Sequence, residues 1–247
     1  MNRRSKHPLP IPENRSTDFS NRADVKKTGW IFILLILSAA AYGQYKDTQL
    51  WSGISIRYDP GKKWKISLEE EARFFENISR LDKINSELDI NYQINKLLDG
   101  GILYRLISNR KNGGLFEFNH RFGAYLEAQK KISGWACLLK AAFQKTYPDF
   151  MHTDDWYIPE NYVRVLAEVS RELKNKRTEP YTNIEFWYRT PAGEQAFIDQ
   201  YRWTIGIKHN LNKSSRLDFF YRLQHEMQVK HPLTANIIGI GYRFRIR

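Results

Sequence analysis

The feature that most constrains the fold is a run of about 10 to 15 residues, alternately apolar and polar, which recurs about eleven times within residues 50–247. In the last of these runs, Tyr242 and Phe244 alternate with Arg243 and Arg245. Successive side chains of a β-strand point to opposite faces, so each run predicts a strand with one apolar and one polar face. So many long two-faced strands, with no helical pattern between them, are typical of a transmembrane β-barrel.

The runs and the turns between them define the predicted strands. We place these strands at roughly 49–58, 64–75, 83–94, 100–108, 115–128, 133–146, 160–172, 179–189, 196–209, 215–228 and 235–246. Most are long enough to cross a bilayer, because a strand tilted by about 45° needs only about 9 to 11 residues. We therefore expect an all-β fold, an antiparallel transmembrane β-barrel of about 10 to 12 strands. Bacterial single-chain barrels have an even number of strands, so we favour 10 or 12, with one run near the N-terminus split, missed or misread.

The connections between the predicted strands alternate in length. Longer ones lie near 76–82, 109–114, 147–159, 190–195 and 229–234, and shorter ones are Asp59–Lys63, Asn95–Leu97, Lys130–Ile132, Lys174–Thr178 and Asn210–Ser214. Outer-membrane barrels have short periplasmic turns and longer outside loops, so the alternation fits such a barrel.

The segment before the first run has the form of a secretory signal. Lys26 and Lys27 precede the apolar run Trp30–Leu37, and small residues follow that run as far as Gly43. A basic start, a short apolar stretch and small residues before the cleavage point are the parts of a signal peptide. The apolar run is shorter than the roughly 20 residues of a membrane-spanning helix, which argues against a retained anchor. We expect cleavage after Gly43, with Gln44 as the first mature residue.

The first 24 residues differ in character from the rest of the chain. Residues 1–24 are polar, contain proline and lack periodicity, so we expect a disordered or non-native extension. Such an extension is unusual ahead of a signal, and one hypothesis is that translation begins at Val25. The predicted organisation is an extension over 1–24, a signal peptide over 25–43 and an outer-membrane β-barrel over 44–247.

The charge of the chain argues against a nucleic-acid partner. The net charge is +12, from 39 basic and 27 acidic residues. A nucleic-acid-binding protein clusters its basic residues on one face, whereas here they are interleaved with acidic residues along nearly every run. Anionic lipid headgroups are a better partner for the positive surplus. The single cysteine, Cys137, excludes an intramolecular disulfide and a Cys-rich zinc site.

Charged residues of both signs recur on the polar faces of the strands and form the candidate site. The lumen of a barrel of this size is narrow, so opposed Arg and Glu on adjacent strands would pair across it. Two interpretations stay open, a lumen filled by salt bridges and a selective pore lined by rings of charge. The candidate residues are Glu69, Glu71, Arg73, Glu87, Asp89, Arg105, Glu117, Arg121, Arg164, Glu168, Glu185, Arg189, Arg202, Arg222, Glu226 and Arg243.

Two residues interrupt the apolar faces, and several aromatic residues lie near their ends. Glu70 would point at lipid unless it lies near the headgroups or a bulge redirects it, and His120 also breaks its apolar face. We expect an exterior aromatic girdle formed by Trp51, Trp64, Trp135, Tyr147, Trp156, Tyr157, Tyr188 and Tyr242. Periodicity alone does not say which face is inside, so a soluble exported β-barrel that binds a small apolar ligand is an alternative. Eleven long strands exceed the eight of small soluble ligand barrels.

An outer-membrane lipid-modifying enzyme is a further alternative, and it would need a Ser–His pair. The candidate histidines are His120, His152, His209, His225 and His231. The chain contains no Gly-x-Ser-x-Gly motif. The loop over 148–160 holds His152, Asp154 and Asp155 but does not match the spacing of a calcium loop. We assign no catalytic residue, no metal site and no cofactor.

The strand pattern resembles that of the DUF2490 family of predicted exported β-barrel proteins. The resemblance spans about residues 44–247 and is carried by Trp51, the KWKISLEEEAR run at 63–73, the pairs Tyr104-Arg105 and Tyr221-Arg222, and the closing GYRF at 241–244. It implies an exported barrel fold and supplies no activity or catalytic residue.

The predicted role is that of an outer-membrane β-barrel, a narrow pore or a transport or structural protein. Its expected partners are outer-membrane lipids and, through the C-terminal strand, the barrel-assembly machinery. The substrate and the oligomeric state stay open.

Overall fold

The computed structural model describes residues 45–111, 113–148, 159–174, 177–191 and 195–246. No helix among these residues is long enough and apolar enough to span a membrane. Their strands are β1 (Tyr45–Tyr58), β2 (Trp64–Phe75), β3 (Arg80–Gln93), β4 (Leu98–Arg110), β5 (Phe116–Ile132), β6 (Trp135–Pro148), β7 (Glu160–Arg171), β8 (Thr178–Arg189), β9 (Phe197–Asn210), β10 (Ser215–Glu226) and β11 (Leu233–Ile246). The predicted extension over 1–24 and signal peptide over 25–43 lie outside the described residues.

The strands close into one barrel, in which each strand pairs antiparallel with its sequence neighbours and β1 also pairs with β11. The closing pair is parallel, from Tyr45 opposite Leu233 to Tyr58 opposite Ile246. The closed, mostly antiparallel barrel confirms the predicted all-β fold and range of strand number, but the preference for 10 or 12 strands is wrong. Eleven strands close because the parallel pairing satisfies backbone groups that would otherwise form two open edges.

The parallel closure places the start of β1 and the end of β11 at opposite ends of the barrel. The turn end holds the end of β11 and the connections 59–63, 94–97, 133–134, 172–177 and 211–214. The loop end holds the start of β1 and the connections 76–79, 111–115, 149–159, 190–196 and 227–232. The two longest connections, after β6 and after β8, lie at the loop end, whereas 76–79 is as short as a hairpin turn.

The hairpin between β5 and β6 lies later in the chain than predicted. β5 continues through Lys130–Ile132, which we predicted as a turn, and the chain reverses at Ser133 and Gly134. These two residues have φ values of 50° and 83°. A two-residue hairpin turn with positive φ at both positions matches the twist of the flanking strands. Its second position costs nothing sterically because glycine occupies it.

Many large apolar side chains of the barrel lie on its outer face. Ile54 on β1, Ile102 on β4 and Leu139 on β6 are exposed to 61%, 59% and 55% of their surface. Gln144 and Thr204, which point into the barrel, are fully buried. This arrangement is the reverse of the one in a typical soluble domain, where apolar side chains fill the interior and polar ones face water.

Inward-facing glycines make room for aromatic rings inside the barrel. Gly206 lies opposite Tyr181 on the neighbouring strand, and Gly239 lies opposite Phe220. A Cβ atom added to Gly206 would meet the Tyr181 ring at 2.7 Å, and one added to Gly239 would overlap the Phe220 ring. The interior is therefore packed closely at these two positions.

The sequence-based expectations for Glu70 and Trp51 have different outcomes. Glu70 does lie on the outer face, where it is exposed and accepts a hydrogen bond of 2.7 Å from Ser86 Oγ. Trp51 does not belong to an exterior girdle, and that prediction is wrong, because its ring is 3% exposed and lies inside the barrel. Trp51 shares the inward phase of Gln49 and Ser55, which are also buried.

The other girdle residues fall into three groups, of which the first, Tyr147, Tyr188 and Tyr242, is half-buried. Trp64 and Trp135 are exposed at the turn end, as girdle residues would be. Trp156 and Tyr157 lie outside the described residues.

Candidate functional site

Two buried tryptophan rings stand inside the barrel, one on β1 and one on β8. Trp51 is 3% exposed and Trp187 is 4% exposed. Trp51 Nε1 donates a hydrogen bond of 2.9 Å to Gln49 Oε1, and Trp187 Nε1 donates one of 2.9 Å to Glu185 Oε2. Each ring is thus held by the residue two positions before it, because residues i and i+2 of a strand share a face.

Three guanidinium groups surround the Trp51 ring. The Cζ atoms of Arg73, Arg222 and Arg202 lie 3.6, 5.1 and 5.6 Å from the ring centroid. These distances are within the range of a cation–π interaction, which strengthens when the groups are removed from water. Because these residues come from β2, β9 and β10, the ring connects strands on both sides of the β1–β11 closure.

Three guanidinium groups also surround the Trp187 ring. The Cζ atoms of Arg164, Arg202 and Arg121 lie 4.2, 4.5 and 5.7 Å from its centroid. Arg202 therefore contacts both tryptophan rings. Since β8 is separated from β1 by β9, β10 and β11, the two rings and Arg202 bridge the lumen. We call the set Trp51, Arg73, Arg121, Arg164, Glu185, Trp187, Arg202 and Arg222 the lumen brace.

Glu185 is the carboxylate at the centre of the lumen brace. One of its oxygens pairs with Arg164, whose Nε donates at 3.0 Å, and the other pairs with Arg202 Nη1 at 3.4 Å. The residue is 5% exposed. A charge buried to this extent is stable only when it is paired and hydrogen-bonded. Glu185 thus neutralises part of the positive charge that the brace concentrates.

Close ion pairs also involve five of the predicted lumen residues. Arg73 Nη2 lies 2.6 Å from Glu71 Oε1 on the same strand, and Arg105 Nη2 lies 2.5 Å from Glu87 Oε2 on the adjacent strand. Glu168 pairs at 2.6 Å with Lys208, which lies two strands away. These ion pairs therefore join residues of one strand, of adjacent strands, and of strands that lie two apart.

Three predicted arginines bond instead to neutral hydroxyl groups. Their Nε atoms donate in the pairs Arg121–Thr146 at 2.9 Å, Arg222–Thr204 at 2.9 Å and Arg243–Ser55 at 3.2 Å. These bonds orient the guanidinium groups without neutralising them. The interior therefore carries a local positive excess in the lumen brace.

The remaining predicted residues are more scattered. Asp89 accepts a hydrogen bond of 3.1 Å from Tyr125 Oη, and Glu69 lines a cavity beside Trp51. Three residues lie near the loop end, in the contacts Glu117–Lys111, Arg189–Glu160 at 3.0 Å and Glu226–Leu233 N at 3.1 Å. The last three are therefore rim residues rather than members of the lumen brace.

Sequence reasoning missed the aromatic half of the brace, although the pattern contained a signal. Trp187 shares the alternation phase of Asn183 and Glu185, and Trp51 shares that of Gln49. An aromatic residue on the polar face of a barrel strand points into the lumen. Reading the phase of each tryptophan, rather than its distance from a strand end, would have placed both rings inside.

The lumen brace lies beside a cavity at the loop end, and a second cavity opens at the turn end. The loop-end cavity has a volume of about 270 Å³, and its wall includes Arg73, Lys83, Arg105, Arg121 and Arg202. The turn-end cavity has a volume of about 580 Å³ and lies against the 211–214 turn. Basic side chains are prominent in both walls, so both ends of the lumen attract anions.

Of the candidate histidines, His120, His209 and His225 each lie within hydrogen-bond distance of a hydroxyl group. His120 Nδ1 lies 2.9 Å from Tyr104 Oη on the outer face. His209 Nδ1 lies 3.0 Å from Thr178 Oγ1, and His152 lies outside the described residues. Within the part of the chain that the structure describes, no group of three or more His, Cys, Asp or Glu side chains has the geometry to hold a metal ion.

Comparison with known proteins identifies one family. The family model described as "Protein of unknown function (DUF2490)" matches residues 48–233, which is most of the barrel. No curated protein matches the chain.

Proposed function

This chain belongs to the DUF2490 family of proteins of unknown function, and we propose from its own geometry that it is an outer-membrane β-barrel whose lumen is closed to bulk solutes. The observation that carries the proposal is the pairing of an apolar outer face with an ionic interior.

The outer face supports residence in a lipid bilayer. Large apolar side chains are exposed around the barrel, including Leu68 on β2, Leu126 on β5, Ile205 on β9 and Ile238 on β11. An apolar surface of this extent is rare on a soluble monomer. In lipid every backbone polar group needs a partner within the protein, and a closed barrel meets that requirement.

The same observation disfavours the soluble alternative. A soluble barrel that binds an apolar ligand would need an apolar lumen, whereas the lumen of this chain holds Glu185 and Arg202, both less than one-tenth exposed. The signal-like segment over 25–43 supports export of such a barrel. Outer-membrane lipids then surround the apolar outer face, and β11 serves as the strand that the barrel-assembly machinery engages.

The lumen brace supports a closed rather than an open barrel. Arg202 touches the rings of both Trp51 and Trp187, and Glu185 ties it to Arg164. An open diffusion pore needs a water-filled channel, and the brace occupies that space. The barrel therefore acts as a structural or ligand-holding element, or as a narrow passage that opens only when the brace moves.

The test combines gel mobility with conductance. The full chain, refolded in detergent, is expected to show heat-modifiable mobility and to insert into planar bilayers with conductance far below that of a 16-stranded porin. Liposomes that contain it should not swell in arabinose. Porin-like steps or rapid swelling would contradict the closed lumen, and a folded chain that stays soluble without detergent would contradict membrane residence.

A further inference from the structure

The cavity at the turn end has a wall in which cationic side chains dominate. Its volume is about 580 Å³, within the range of small-molecule sites. None of the described residues that line it is an aspartate or a glutamate. The cationic lining residues, which we call the basic mouth, are Arg57, Arg177, Lys213, Arg216, Arg243 and Arg245.

Two carboxylates that do not line the cavity form ion pairs with some of these arginines. Asp59 Oδ1 lies 2.6 Å from Arg57 Nε, and Asp59 Oδ2 lies 3.2 Å from Arg245 Nε. Glu179 Oε2 lies 3.8 Å from Arg216 Nη2. These ion pairs join three arginines of the basic mouth to two carboxylates, and because no described acidic side chain lines the cavity itself, its wall keeps a positive excess.

Two arginines of the basic mouth also donate hydrogen bonds to neutral side chains. Arg216 Nε donates a hydrogen bond of 2.8 Å to Asn210 Oδ1, and Arg243 Nε donates one of 3.2 Å to Ser55 Oγ. A guanidinium has five N–H donors in a rigid fork that matches phosphate and carboxylate oxygens. Bonds through Nε fix the direction of the fork without using all of its donors.

We propose that the basic mouth binds multivalent oxyanions of the phosphate class. Fixed positive charges held close together in a cavity repel one another and attract anions. An anion that binds among them relieves the repulsion and so lowers the free energy. Several arginine forks around one cavity favour an anion with several oxygens and more than one charge. The cavity is larger than a single phosphate group requires, which favours a polyphosphate or a phosphorylated organic molecule.

The cavity at the loop end is a weaker candidate. Its wall includes Asp199 and Glu226 beside its cationic residues, and its volume is about 270 Å³. The two acidic groups lower the local positive potential. The phosphate-class site is therefore assigned to the turn end alone.

The experiment titrates sodium tripolyphosphate into the full chain in detergent and measures binding by calorimetry. We expect saturable binding that weakens as salt is added. The double variant Arg216→Ala with Arg243→Ala should bind at least tenfold more weakly. Because that variant loses the contacts of Arg216 with Asn210 and Glu179 and of Arg243 with Ser55, Lys213→Glu serves as a second variant on an exposed turn. It should also weaken binding severalfold.

The matched control removes two cations from the outer face. Lys145 and Arg171 lie over the Tyr147 and Trp135 rings and do not line the basic mouth. Lys145→Ala with Arg171→Ala should leave the affinity unchanged. Non-saturable binding by the parent chain, or equal affinity in Lys213→Glu and this control, would overturn the proposal. The measurement needs no bilayer, so its failure is distinct from failure of the proposed membrane residence.

A second arm distinguishes a soluble phosphate from a lipid headgroup. The titration is repeated in nanodiscs of phosphatidylcholine alone and in nanodiscs that also contain phosphatidylglycerol. Equal tripolyphosphate affinity in both supports a site for soluble oxyanions. If the tripolyphosphate affinity falls tenfold in the nanodiscs that contain phosphatidylglycerol, and does not fall in the Lys213→Glu variant, the same site binds a headgroup phosphate.

Discussion

The Glu185→Ala variant is expected to lower the free energy of unfolding by about 3 to 5 kcal/mol, the range found when one partner of a buried ion pair is removed. Glu185 is the carboxylate shared by Arg164 and Arg202, and it is 5% exposed. Its loss leaves the buried guanidinium of Arg202 and the half-buried one of Arg164 without that counter-charge, and it removes the acceptor for the Trp187 indole N–H. Urea unfolding of the barrel in phospholipid vesicles measures the change.

The matched control breaks an ion pair at the loop-end rim. Glu160 and Arg189 pair at 3.0 Å with side chains 38% and 39% exposed. Glu160→Ala should cost no more than about 1 kcal/mol, because solvent screens exposed pairs. The conservative variant Glu185→Gln keeps the side-chain volume and should fall between the two. Equal costs for Glu160→Ala and Glu185→Ala would show that Glu185 does not hold the brace together.

The second large effect is expected from Trp187→Ala, which removes a ring that three arginines contact. Truncating a buried tryptophan costs about 3 to 5 kcal/mol in lost burial and in the cavity left behind. Here the cavity would open within the lumen, beside Arg121, Arg164 and Arg202. We therefore expect lower stability together with a severalfold rise in conductance across a planar bilayer.

The control for conductance is a tryptophan on the outer face. Trp203 is 36% exposed, and its indole N–H donates to Thr182 Oγ1 at 3.0 Å. Trp203→Ala opens no space in the lumen and should leave conductance at the parent level. If Trp187→Ala folds and conducts no more than Trp203→Ala, the brace is not what closes the barrel.

The fold was largely predictable because alternation is a local property of the chain. A period of two residues fixes both the presence of a strand and the identity of its two faces. It therefore located eleven strands and placed Glu70 correctly on the outer face. The strand count was doubted only because bacterial precedent is even. Nothing local to the chain shows that β1 and β11 pair in parallel, since that contact joins residues nearly 190 positions apart.

The candidate site was predictable in part. Alternation gave the inward-facing charges, but it does not say which of them meet across the lumen. Strand tilt and register decide that, and they brought Arg202 to both Trp51 and Trp187 while leaving Arg189 at the rim. The basic mouth could not be predicted from the sequence either, because Arg57 and Arg245 meet at Asp59 only through the parallel closure.

The central claim is that the apolar face touches lipid, and spin labelling tests it most directly. The chain has one cysteine, so Cys137→Ser gives a background in which Phe143→Cys places a label on the outer face of β6, where Phe143 is 50% exposed. Lys213→Cys places a label on the 211–214 turn. In phospholipid vesicles the label at 143 should collide more with oxygen than with a water-soluble nickel chelate, and the label at 213 should show the reverse. If the nickel chelate reaches both positions equally, the outer face is in water and the account is wrong.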